Sequence, residues 1–542
     1  MASLWWLLGV IVLVEARNVK ETDAEELKWP EEFTIKAIRT SLTDHVIENY
    51  QVWRNAKQSR IDYNDGYVKS IVDPKKYGVK YSIQPEASID QEIEIVCKGI
   101  PGDRYDRAYP ETILPEDPDV YNKVGEEEMN DKKSVKYTYN AVEGGVDSRK
   151  TIWAVREKDI WVPVRYEVLD FNTWLGFKDK HEIWDFYDFL STFSTRDVFD
   201  VDPYNCTIEL PSDDDHDRKI KNLLFVDPEK DHHVNDVFHS YKKQFNKKYE
   251  NKDEHEMRKS IFKKNLRSII AKNRLNLGYK LGVNQFTDKT DKEMFKFKGL
   301  LRRPAGKSGN IEFPYDQNKI KELLDDTPSE YDARLQGLVT KIKNQEECGA
   351  CWTFGTTAAV EGALARVNGG RLMSLSNQAL VDCAWGFGSS GCDGGTDNEA
   401  YEWMMQYGLP TEAEYGPYLN SDGPCKILNM TKTYPIRGYT DVEPLSVGAT
   451  KIALINHGPL SVSVSVSSDF SAYTSGIFYD PQCSQTKLDH EVTLVGYGER
   501  DDDTFWILKN SWGPTWGIGG YMYISSRDNN CGVLTEPTYA VV

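Results

Sequence analysis

The chain has 542 residues, 39% hydrophobic and 12% aromatic, so it can build several cores, and at roughly 150 residues per domain it holds two to four. A formal net charge of -19 argues against a nucleic-acid-coating or polybasic membrane-surface protein. That charge is uneven: Asn235 to Leu300 carries 17 basic and 8 acidic residues, and Asp325 to Val542 carries 13 basic and 27 acidic.

In chain order, Leu4 to Val14 reads as a signal h-region, too short to span a bilayer, with cleavage expected after Ala16. No later stretch approaches 18 apolar residues, so no membrane span is expected. The expected location is the secretory pathway, in a lysosome or lysosome-like granule or outside the cell. Residues 17–230 alternate aromatic and β-branched positions. Thr151 to Phe171 reads as a hairpin turning at Glu157-Lys158-Asp159, and Val79 and Val135 open further strands. A mainly antiparallel β domain, a curved sheet or barrel, is predicted. Cys97 and Cys206 are the only cysteines of this section and are paired with each other here. Asp213-Asp214-Asp215-His216-Asp217 is better read as a solvated linker than as a cation site.

Residues 231–324 change character. Glu250 to Asn273 is lysine-rich with an apolar stripe through Phe262, Leu266, Ile269 and Ile270, as an amphipathic helix requires. Leu300 to Asp326 holds Pro304, Gly306, Gly309 and Pro314 and is predicted extended and accessible. After Asp325 glycine, tryptophan and most of the nine cysteines appear. An odd count leaves at least one thiol free or paired outside the chain. Asn205 and Asn429 open possible N-glycosylation sequons.

The strongest chemical signal is Gln345-Glu346-Glu347-Cys348-Gly349-Ala350-Cys351-Trp352. A zinc site would need a second ligand pair, and none is visible. A thioredoxin-type redox pair also uses Cys-Gly-x-Cys, but its Trp precedes the first Cys, whereas Trp352 follows the second. The third reading is a cysteine nucleophile beside a structural half-cystine. It demands a base and an orienting group downstream, because an ordinary thiol is only a few per cent thiolate at neutral pH. Leu488-Asp489-His490-Glu491 supplies a His 139 residues after Cys351, and Lys509-Asn510-Ser511-Trp512 an amide 159 residues after it. The insertion-like run Glu499 to Asp503 lies between them.

On these segments, residues 231–542 resemble a papain-like cysteine peptidase zymogen of the cathepsin L type. The resemblance implies an α+β fold with a two-lobed catalytic domain, one lobe helical and the other β-barrel-like, from 325 to 542, behind an inhibitory prosegment from 231 to 324. It implies Cys351 as nucleophile, His490 as base and acid, Asn510 to orient His490, Gln345 with the Cys351 N–H as oxyanion hole, and Trp512 as cover. No cofactor or metal is expected; the partners are protein and peptide substrates and the chain's own prosegment.

Glu254, Arg258, Phe262, Asn265, Ile269 and Asn273 fit the family's interrupted prosegment helix pattern, and Gly282, Asn284, Phe286 and Asp288 its second prosegment motif. By resemblance this segment runs backwards through the cleft. A basic segment facing an acidic enzyme gives a physical reason for tight docking, loosened by acid. The resemblance also implies the bridges Cys348–Cys392, Cys383–Cys425 and Cys483–Cys531. It places Gly394 and Gly395 along the substrate backbone and Thr396, Asp397, Ser463, Leu488 and Glu536 around the main specificity pocket, S2. Because cathepsin B also carries a Glu at the position of Glu536, S2 is expected to take Arg or Lys as well as apolar side chains. Ala333 stands where relatives carry a Trp, and Glu491 where small residues are usual. The N-terminal section, through Ser59 to Tyr63 and Ile113 to Pro115, resembles insect haemocyte proteinases of the twenty-six/twenty-nine kilodalton type. In those enzymes the extra region is retained as a second subunit. A catalytically silent binding protein and a thiol–disulfide oxidoreductase are the competing functions.

Overall fold

The structure, a computed structural model, describes residues 26–87, 93–104, 107–143, 145–194, 197–209, 223, 226–500 and 503–542. The signal-like run, the acidic cluster at 213–217 and part of the 499–503 insertion lie outside the described residues.

Period-two burial builds the N-terminal section. Along Phe33–Ser41, Phe33, Ile35 and Ala37 turn inward, and the strands among the section's described residues form one 12-stranded sheet. Two meanders, Phe33 to Pro101 and Asn122 to Leu190, join where Phe33–Ser41 pairs antiparallel with Phe177–Leu190. The predicted hairpin turns at Lys158 and Asp159, both with positive φ, between strands Val146–Glu157 and Ile160–Asn172. Among the described residues the sheet order has two ends, so this is an open sheet rather than a closed barrel, with Thr207–Ile208 added in parallel beside Ile93–Pro101. Cys97 and Cys206 are bonded across that edge.

The prosegment helix Lys252–Asn273 begins at Asn251, whose side chain caps the Glu254 N–H. Its polar signature residues fasten the following loop. Asn265 Nδ2 donates to the Thr287 and Lys289 carbonyls, and Asn273 holds Leu281 by both its N–H and its C=O. Asp288 is buried and accepts from Tyr241, Lys247 and Tyr249. The loop then lays Tyr279–Leu281 as an added strand along Tyr473–Phe478 of the catalytic sheet.

The N-terminal sheet grips this prosegment. Arg274 reaches the fully buried Glu48 at 3.0 Å, which Arg39 also binds, and Arg267 reaches Asp179 at 3.3 Å. Asn64 Nδ2 donates to the Arg274 carbonyl at 2.8 Å.

The catalytic section has two lobes. Helices Cys351–Val367, Asn377–Cys383 and Asp397–Tyr407 close around Trp352, Leu380, Tyr401 and Trp403. The other lobe is a mainly antiparallel sheet over Val492, Leu494, Trp506 and Met522. Helix Cys351–Val367 is buried along nearly its whole length, and its glycines let it approach the sheet: a Cβ at Gly355 would lie 2.6 Å from Glu491 Cγ. Cys348–Cys392, Cys383–Cys425 and Cys483–Cys531 are bonded, and Cys351 is the free thiol. Among the described residues no helix is long and apolar enough to cross a membrane.

One expectation fails. The segment after Leu300 is not simply extended and accessible: Gln317–Leu324 is a helix capped by Asp316, and Ile320 is buried in the catalytic core beside Ala449 and Ile452. Gly309 N–H donates to Asp441 and Ile311 N–H to the Tyr439 carbonyl, so the stretch before it is strapped down too. Proline and glycine mark where the chain bends, and tertiary packing decides whether a bend is exposed.

Candidate active site

Cys351 is the first residue of its helix, where the dipole favours an anion. His490 opens strand His490–Arg500 and Asn510 follows the neighbouring strand Asp503–Lys509, so antiparallel pairing brings both to one end of the sheet. His490 Nε2 and Asn510 Oδ1 lie 2.8 Å apart, and the Trp512 ring stacks on the imidazole at 4.7 Å. The remaining ring nitrogen, Nδ1, is buried with no hydrogen-bond partner among the described residues.

Gln345 is fixed by its neighbours. Its N–H donates to the Ser511 carbonyl, and Ser511 Oγ donates to Gln345 Oε1 at 2.6 Å. The amide Nε2 donates to the Cys348 carbonyl at 3.0 Å and, toward the prosegment, to the Phe297 carbonyl at 3.1 Å and the Lys298 carbonyl at 3.4 Å. Ser511 is a residue that the sequence reading missed, although it sits beside Asn510.

The prosegment fills the groove. Gly395 N–H donates to the Gly299 carbonyl and Leu301 N–H to the Gly395 carbonyl, both at 3.0 Å, and the Leu300–Gly395 bridge is parallel. Phe286 packs edge-on against Trp512 at 5.1 Å, and Trp512 Nε1 donates to the Phe297 carbonyl. Lys298 pairs with Asp489 at 2.7 Å. Under this cover burial pushes the Cys351 thiol well above its usual pKa and drives His490 down to about 3, against the Asn510 hydrogen bond and helped by Lys298.

Around the expected specificity pocket, Asp397 is buried and accepts from Thr538 at 2.7 Å. Ser463 is buried, pairing across the sheet with Glu491, and Leu488 lies beside Gly532. Glu536 is partly buried, which raises its carboxyl pKa. Thr396 is buried, and its hydroxyl accepts from the Glu399 N–H in a capping box that starts helix Asp397–Tyr407. Arg303, unremarked in the sequence, reaches Asp397 at 3.3 Å and Asp441 at 3.0 Å. The glycosylation candidates Asn205 and Asn429 are both exposed.

A buried thiol at a helix start, an amide-held imidazole and an aimed carboxamide donor suit acyl transfer through a thiolate. Comparison with known proteins agrees. Residues 327–541 match the model described as papain family cysteine protease, and residues 238–294 match the cathepsin propeptide inhibitor domain. A cathepsin L-like proteinase of Fasciola hepatica is 37% identical over 57% of this chain and 93% of its own length. Cathepsin S of Bos taurus is 36% identical over 58% and 93%. Among solved structures, procathepsin L2 proteinase from Tenebrio molitor larval midgut superposes with a TM-score of 0.52 at 31% identity, covering 57% of this chain and all of that one.

Proposed function

The chain belongs to the papain family of cysteine proteases, and on that premise we propose that its chemistry is carried by Cys351, His490, Asn510 and Gln345. The enzyme is a cysteine endopeptidase made as an inhibited zymogen. Once the prosegment leaves, water reaches His490, the imidazole regains its proton affinity and takes the Cys351 proton. The thiolate attacks the substrate carbonyl carbon. Negative charge gathers on the carbonyl oxygen, where the Gln345 amide and the Cys351 N–H receive it. His490, held by Asn510 and shielded by Trp512, returns its proton to the departing amine, leaving a thioester on Cys351. A water deprotonated by His490 then releases the acid and restores the thiol.

Gly394 and Gly395 hold the substrate backbone. Thr396, Asp397, Ser463, Leu488 and Glu536 shape S2, which takes Arg or Lys as well as apolar residues. The prosegment covers 231–324, the catalytic domain 325–542 and the β domain 17–230. The β domain follows the insect haemocyte type in staying attached as a second subunit, within a secretory or lysosomal compartment.

The observation that carries the catalytic assignment is the Gln345 amide aimed at the Phe297 carbonyl, two residues before the Gly299 carbonyl that Gly395 binds. Titration with a thiolate-directed epoxide tests it: acid-matured protein should label once, at Cys351, and Cys351→Ser should not label. Absence of labelling favours a silent binding protein, and recovery of a disulfide-exchange product at Cys348 and Cys351 favours an oxidoreductase.

A further inference from the structure

The prosegment helix Lys252–Asn273 is occupied on two faces. From one face Asn265 and Asn273 tie down the loop that follows. Ser260, Lys264, Arg267 and Arg274 succeed one another at steps of four, three and seven residues, so they share a face of their own. Ser260, Lys264 and Arg267 each stand two residues from Phe262 or Asn265, about 200° round the helix. This second stripe is no part of the inhibitor helix pattern, and it meets the β domain.

Both meanders of the β domain reach the stripe. Asn172 Nδ2 donates to Ser260 Oγ at 2.9 Å, the Lys264 ammonium lies 4.7 Å from the Phe177 ring centre, and Arg267 donates to the Asp179 carbonyl at 2.6 Å. These three partners stand at the turn between Ile160–Asn172 and Phe177–Leu190. From the other meander Glu48 takes Arg274, Asn64 Nδ2 donates to the Arg274 carbonyl, and the Tyr67 hydroxyl donates to Asn276 Oδ1 at 2.8 Å. Arg267, Asp179 and Glu48 are buried in this contact. Such charges are stable only as completed pairs, because removing one partner strands the other away from water.

The grip ends three residues before the strand Tyr279–Leu281, which pairs with Tyr473–Phe478 of the catalytic sheet. Three residues span at most about 11 Å, so with Asn276 held, Tyr279 stays within that distance of it. Further along, Gly282 N–H donates to the Ala472 carbonyl at 2.8 Å and Asn284 Nδ2 to the Ser471 carbonyl at 2.7 Å, and Phe286 then meets Trp512 at the cleft. We infer that the β domain is a second inhibitory element: it holds the prosegment helix on the face away from the inhibitor pattern, and so keeps the following chain seated over Cys351. This rests on the reading of residues 231–324 as the inhibitor and of Cys351 as the nucleophile. The partner of the β domain surface is then the helix of its own chain, clamped between that surface and the catalytic sheet.

The test uses full-length zymogen at neutral pH and reads the rate at which the thiolate-directed epoxide alkylates Cys351 before any cut. Asn64→Gly combined with Tyr67→Phe removes two bonds to the prosegment and leaves the turn unstrained, since Asn64 has a positive φ. This double variant should label about tenfold faster than wild type, as loss of two hydrogen bonds predicts. Glu48→Gln should label faster by at least as much; if it does not fold, the double variant decides alone. Arg60→Ala is the control. It breaks a pair with Asp62 and a bond to the Val198 carbonyl, both inside the β domain, and should label at the wild-type rate. After acid maturation every variant should match the wild-type kcat/KM. A folded double variant that labels at the wild-type rate overturns the inference, and the inhibitor reading still stands because the zymogen stays latent. Equal acceleration by Arg60→Ala also overturns it, because the β domain would then act only through general loosening. So does an altered kcat/KM after maturation, which would place the effect in the enzyme rather than in the inhibitor. A wild-type zymogen that labels as fast as the matured enzyme removes the inhibitor reading and this inference together.

Discussion

Gly299 is the point at which the inhibitory segment comes nearest the nucleophile's loop. Its φ is +136°, a region that side chains rarely adopt, and an added Cβ would lie 1.9 Å from the Gly349 carbonyl oxygen. Gly299→Ala therefore cannot be absorbed by a side-chain rotation, since the obstacle is backbone. The segment must lift away, and with it go three contacts: Gln345 to the Phe297 carbonyl, Gly395 to the Gly299 carbonyl and Leu301 to the Gly395 carbonyl. At about 1 kcal/mol net each, docking weakens by about 3 kcal/mol, or roughly a hundredfold or more. The assay is the rate of Cys351 alkylation by the epoxide in intact zymogen at neutral pH. Gly299→Ala should label at least about a hundredfold faster than wild type. Gly306→Ala, also at positive φ but with nothing within 4 Å, is the control and should label at the wild-type rate. Equal rates for Gly299→Ala and wild type, with the prosegment still uncut, would refute the close-approach reasoning.

Gln345→Ala in the matured enzyme should lower kcat by about 10²–10³-fold with little change in KM, since one oxyanion donor is lost; steady-state kinetics on a Leu-P2 peptide reads this. Arg274→Ala leaves Glu48 with Arg39 as its one remaining ion-pair partner beside the Tyr50 hydroxyl, and should destabilise the zymogen by about 3 kcal/mol, seen as a lower thermal midpoint. Glu347, held below the ordinary carboxylate range by the hydrogen bond from Lys289, favours docking above its free pKa and ceases to as pH falls through its lowered value. Maturation should thus accelerate on acidification, and Glu347→Gln should mature faster at neutral pH with a flatter pH profile. A variant with the wild-type profile at both low and high salt would assign acid activation to other contacts.

Much of the site was legible because its signals are local. The run from Gln345 to Trp352, the His490 segment and the Asn510 segment each carry their meaning in a few adjacent residues. The prosegment helix was equally readable, since Asn265 and Asn273 each tie that helix to the loop beyond it. What escaped lacks a local pattern. Gln317–Leu324 is one short helix whose stability comes from seating Ile320 in another section's core, and no periodicity announces that. Arg303 reads as one more basic residue in a Pro- and Gly-rich stretch until Asp397 and Asp441 are seen around it. Thr396-x-x-Glu399, by contrast, is a capping signature visible in the sequence, and it starts helix Asp397–Tyr407.

The added strand Tyr279–Leu281 has an effect that outlasts inhibition. It is the terminal strand of the catalytic sheet, and Tyr473–Phe478 is next in order. Removing the prosegment therefore does more than open a cleft. It strips the sheet of its border and leaves a row of unpaired amides and carbonyls on Tyr473–Phe478 facing water. The precursor thus keeps sealed a sheet border that would otherwise be open to pairing.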